Sequence, residues 1–69
     1  MFVMTADGAA VNLNLAVELR PARAGAGRWV VVVRMIDGST QVLQGDHPSV
    51  GSATLRIQDI AAGNNDEKD

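Results

Sequence analysis

A chain of 69 residues with no Cys and a single His is small enough for one domain only. Disulfides, Cys-based zinc sites and a His-rich metal cage are excluded, so a partner chain is the remaining external support for a marginal core. The net charge of −2 is unevenly placed: residues 1–44 carry four Arg against three acids, and residues 45–69 carry Arg56 and Lys68 against five. Such an acidic balance gains little from phosphate neutralisation and disfavours nucleic-acid binding.

Residues 1–5 alternate and read as a first strand. Asp7-Gly8 is a preferred pair for a two-residue hairpin. That register sets Met4 opposite Val11 and Phe2 opposite Leu13, with all four on one side. Residues 11–20 alternate as a second strand, with Val11, Leu13, Leu15, Val17 and Leu19 on the core face. Asn12-Leu13-Asn14 is a place for a bend or bulge. Pro21 ends or frees this strand. Residues 21–27, with a Pro and two Gly, read as a solvated loop. The competing reading is an anion-binding loop around Arg20, Arg23 and Arg28, but phosphate loops precede a helix and this one precedes a strand.

The segment Arg28 to Ile36 holds the only Trp and four consecutive Val. It reads as the central strand, with Trp29, Val31, Val33 and Met35 on the core face and Val30, Val32, Arg34 and Ile36 on the other. Asp37-Gly38 makes a second hairpin into a short fourth strand, Ser39 to Gln44. A two-residue turn sets Val33 opposite Val42 and Val32 opposite Leu43. A longer loop with Gly38 in a bulge moves these pairs by one. After a connection at 45–49, Val50, Ala53, Ile57, Ile60 and Ala61 fit one helix face. Ser49 or Ser52 caps its start and Gly63-Asn64 its end. The alternative is a strand over 53–58. Residues 64–69 are polar and acidic and are expected to form a disordered tail.

The expected architecture is therefore α+β over a single domain, 1–63: a four-stranded antiparallel sheet with two Asp-Gly hairpins and a C-terminal helix. The alternative is a five-stranded small barrel of SH3 or OB type. The helix covers one sheet face. The second face keeps Val3, Val30, Val32, Ile36 and Leu43, too much apolar surface to leave wet in a domain this small. Val30, Val32, Ile36 and Leu43 are accordingly the expected interface of a homodimer.

Chemistry is thinly represented. Asp46, His47 and Ser49 have the residue types of a catalytic triad, but neighbours around Pro48 cannot easily converge as a triad must. Asp66, Glu67 and Asp69 lack EF-hand spacing. No cofactor, metal or enzymatic activity is expected. Arg20, Arg23, Arg28 and Arg34 are candidate contacts for an anion or an acidic partner. The competing reading pairs them with Glu18 and Asp37. No stretch resembles a signal peptide, and the longest apolar run, Trp29 to Val33, is too short to cross a bilayer. A cytoplasmic location without membrane contact is the expectation.

Val3-x-Thr5-x-Asp7-Gly8-x-x-Val11-Asn12-Leu13, then Trp29-x-Val31-Val32, Asp37-Gly38-Ser39, and the spacing of Ala53, Ile57 and Ile60 resemble a set of very short uncharacterised bacterial and phage-associated proteins. The resemblance covers most of residues 3–61 and implies a sheet-plus-helix fold with no catalytic residue to carry over. The chain departs from that pattern at Asn14, where such proteins usually carry Asp, and at Ser49-Val50-Gly51-Ser52, where they carry Glu. The functional expectation is a non-enzymatic protein–protein interaction module or accessory subunit, in its concrete form a phage or mobile-element protein acting on a host or phage protein. The alternative is a small barrel that binds nucleic acid or peptide through the Arg-bearing loop 20–28.

Overall fold

A computed structural model describes residues 1–63; the expected tail, 64–69, lies outside the described residues. The chain runs β1 (Phe2–Met4), β2 (Ala10–Asn12), a 3-10 turn (Leu13–Leu15), β3 (Ala16–Gly25), β4 (Arg28–Met35), β5 (Thr40–Val42) and α1 (Val50–Ala61). The fold is α+β and antiparallel, with a terminal helix. The strands form a two-stranded sheet, β1-β2, and a three-stranded sheet, β3-β4-β5, instead of one four-stranded sheet. A Thr5–Leu43 bridge joins the two, with Ala6 N–H donating to the Val42 carbonyl (2.8 Å) and Gln44 N–H to that of Met4 (3.0 Å). The spatial order is thus β2, β1, β5, β4, β3. The outermost strands β2 and β3 are consecutive in the chain, so the 3-10 turn between them makes the sheet wrap around its core. Five strands were also the count of the barrel alternative, but residues 53–58 are helical. The fifth strand comes from a break in the segment 11–20.

That break has a local cause. The Asn12 side chain accepts from Asn14 N–H (3.0 Å) and starts the 3-10 turn. This local bond offers the backbone an alternative to the ladder. A bulge at Val17, between the pairs Ala16–Met35 and Glu18–Arg34, then changes the phase of the alternation. Leu15 and Val17, expected in the core, are 51% and 53% exposed, whereas Leu13 and Leu19 pack against it.

Both Asp-Gly hairpins close with three residues, not two. In the first, Thr5 N–H donates to Ala9 O (2.7 Å) and Gly8 N–H to Thr5 O (3.1 Å); in the second, Met35 N–H donates to Ser39 O (2.8 Å) and Gly38 N–H to Met35 O (2.9 Å). The two-residue turn needs a left-handed conformation at both central residues. The three-residue turn places that demand on the glycine, and Gly8 and Gly38 meet it with φ of 91° and 90°. The Asp carboxylates stay with their own turns: Asp7 accepts from Thr5 Oγ1 and Asp37 from Ser39 N–H (2.9 Å) and Oγ (2.6 Å).

One residue of register exchanges the faces. Val3 pairs with Val11 and Val32 with Val42. Val3 and Leu43, expected on the second face, are buried at 8% and 4% exposure, while Phe2 and Met4, expected in the core, stand at 67% and 46%. For the second hairpin this is the longer-loop register with Gly38 in a bulge.

Pro21 does not end its strand; β3 continues to Gly25 through most of the expected loop. Val31 accepts from Leu43 N–H, and Trp29 exchanges bonds with His47, so the odd-numbered backbone groups of this part of β4 face away from β3. Pro21, opposite Val31, is therefore a non-hydrogen-bonded position, where a missing N–H costs no ladder bond.

The core joins Val3, Val31, Val33, Met35 and Leu43 of the sheets to Ala53 and Ile60 of α1, with Ile57 packed beside them. The helix stripe is thus narrower than expected, since Val50 is 45% exposed and Ala61 is also exposed. Ser49 caps the helix by accepting from Ser52 N–H (3.1 Å), and Ser52 Oγ returns a bond to the Ser49 carbonyl (3.1 Å). Gly63, at φ 72°, takes the left-handed position after the last turn. Ser49→Ala should cost about 1 kcal/mol, read as a fall in thermal midpoint of roughly 4–8 °C for a domain of this size.

Candidate interaction face

Side chains alternate across β4, so the residues between the buried Val31 and Val33 form the outer surface of the sheet. The pairings Arg20–Val32–Val42 and Ala22–Val30 lie across it. Ala6 adjoins Val42 through its backbone bond, and Met4 adjoins Gln44 in the same way. Val42 is 40% exposed, and Val30 and Val32 are half-buried. The helix contacts β3 and β4 from the core side, where Ala53 and Ile60 sit, and so leaves this surface uncovered.

Of the expected interface residues, Val30 and Val32 are where the sequence places them. Leu43 is in the core, because the register moved by one. Ile36 is 71% exposed but belongs to the turn that follows β4. There its N–H donates to the Leu15 carbonyl (2.7 Å), which groups it with Leu15 instead of with Val32. Met4 and Val42 are the residues the sequence reading missed. The longer-loop register is the signal that finds Val42.

The four arginines do not converge. Glu18 lies opposite Arg34 and takes a bond from Arg34 Nε (3.1 Å) and one from Arg20 Nη2 (3.2 Å). A shallow hollow between them is lined by Val32 and Thr40. Arg28 pairs with Asp46 (3.1 Å) near the other end of β4. Arg23, opposite Trp29, places its guanidinium 5.6 Å from the ring centre. Arg20 and Arg23 lie in a strand, so the Arg-bearing loop of the barrel alternative is not formed. Asp37 binds Ser39 and no Arg. Each of these ion pairs is exposed and contributes little stability by itself.

The Arg34 and Arg20 hydrogen bonds hold the Glu18 carboxyl below its ordinary range. Thr5 and the Ala9 backbone do the same for Asp7, and Ser39 for Asp37. A carboxyl held low in the folded chain contributes stability that is complete above its unfolded pKa and lost as pH falls through its folded one. The thermal midpoint should thus vary little between about pH 5 and 7 and drop below about pH 4. A chain carrying Asp7→Asn, Glu18→Gln and Asp37→Asn should show a shallower acid drop when melted across the same pH series.

The triad-like residues are each occupied structurally. Asp46 binds Arg28, His47 exchanges two backbone bonds of 2.8 Å with Trp29, and Ser49 caps α1. Among the described residues no group of three or more His, Asp or Glu is placed to hold a metal ion. No helix among them is long and apolar enough to cross a membrane. Comparison with protein-family models, with curated proteins and with solved structures finds no match.

Proposed function

We propose that the chain is a non-enzymatic protein–protein interaction module that self-associates as a homodimer through the outer sheet face. The observation that supports this reading is the apolar group Val30, Val32, Val42 and Met4, which the helix leaves uncovered. A second copy is the chosen occupant because the face meets itself with mixed charge at its rim. Glu18 stands between Arg20 and Arg34, and Arg28 beside Asp46, so a two-fold contact sets acids and bases of both copies near one another. The concrete biological form is a cytoplasmic phage or mobile-element accessory protein. Small size and the resemblance of its hairpin motifs support that form. A host or phage protein is the alternative occupant of the same face. Sedimentation velocity across a concentration series tests the dimer: the sedimentation coefficient should rise with concentration, and a chain that stays monomeric at high micromolar concentration refutes it.

A further inference from the structure

Strand β3 is ten residues long and, among the described residues, pairs with β4 along one side only. Its other side is an open edge, and open edges of this length recruit further strands unless something prevents it. The backbone groups that face outward follow from the ladder. Trp29 and Val31 turn theirs toward His47 and Leu43, so their opposites on β3, Arg23 and Pro21, turn theirs away from the sheet, and Leu19 follows by alternation. The outward row is thus Leu19, Pro21, Arg23. Its middle member has no N–H. The donors that remain, at Leu19 and Arg23, are about 14 Å apart. Bulges interrupt β3 at both ends, between Ala16 and Glu18 and between Arg23 and Gly25.

We propose that Pro21 is an edge guard that keeps β3 from adding a strand of a second copy. Two copies approaching edge to edge about a two-fold axis bring the middles of their β3 strands together. With position 21 facing its own counterpart, the pair would exchange two N–H to carbonyl bonds, and proline removes both donors at once. The bulges bend the strand away from a straight template on either side. Association of this chain is thereby directed away from the sheet edge.

The test is Pro21→Val, which restores the donor and suits an extended strand. The variant should associate further than the parent at equal concentration, because its β3-edge contact is about tenfold stronger than the same contact in the parent, the yield of regaining one modest hydrogen bond per copy. In hydrogen–deuterium exchange the amides of Leu19, residue 21 and Arg23 should slow as concentration rises in the variant, with no such change at Leu19 and Arg23 in the parent. Pro21→Val that matches the parent at every concentration, or whose β3 amides exchange at one rate throughout, overturns the proposal. The Val32 face is unaltered in this variant. Failure of the face dimer shows in sedimentation of the parent, and failure of the guard shows in the β3 amides.

Discussion

Leu43→Ala should lower the unfolding free energy by about 2–5 kcal/mol, the range for emptying a buried leucine site. A chain of this length has only about 3–10 kcal/mol in total at typical per-residue stability, so the loss should appear as a large fall in the urea midpoint. Leu43 is 4% exposed and sits across the bridge from Thr5, itself 2% exposed. The cavity would open where the two sheets are joined. Val42→Ala, one residue earlier on the outer face at 40% exposure, should change stability by less than about 1 kcal/mol. Urea titration of both variants reads the register directly. A two-residue hairpin at Asp37-Gly38 reverses the order of the two effects, because it turns Leu43 outward and Val42 inward.

Val32→Glu should abolish self-association while leaving the monomer folded. Val32 lies between Arg20 and Val42 in the outer row, and the helix is on the far side of the sheet. In a two-fold interface the substitution appears twice, burying two carboxylates beside Arg20 side chains that Glu18 already engages. The penalty for even one such unpaired charge is several kcal/mol, so the dissociation constant should rise at least about a hundredfold. In the monomer the new carboxylate lies beside Arg20 in water and costs little. Sedimentation should give a monomer at all concentrations, with circular dichroism and urea midpoint near those of the parent. A variant that still dimerises with unchanged affinity places the contact elsewhere. The Leu15, Val17 and Ile36 group, each more than half exposed, is the next surface to substitute.

Much of the architecture was legible because it rests on local chemistry. The Asp-Gly pairs mark both hairpins. The valine run marks β4 and its two faces. Ser49 and Gly63 bracket α1 as a cap and a stop, even without an acidic residue in its first turn. The candidate face was half legible. Val30 and Val32 follow from alternation within one strand, whereas Leu43, Ile36, Met4 and Val42 depend on how many residues each turn spends. Asp-Gly is compatible with two-residue and three-residue loops, and the two differ by one step of register. The tie is broken by which face the wrapped sheet can bury.

Composition and pattern by themselves determined the class of this protein: an α+β fold without disulfides, two glycine-assisted hairpins, a valine-rich central strand and a capped helix. These follow from bonds and preferences that act within a few residues of chain. Tertiary structure alone decided that Pro21 lies within a strand and that Leu43 is core while Val42 is surface. Each of these turns on which backbone group finds a partner in a distant segment, and a partner across the sheet leaves no mark in the local sequence. The uncovered face of the central strand results from both. Its valines are written in the chain, and their exposure follows from α1 lying on the opposite side.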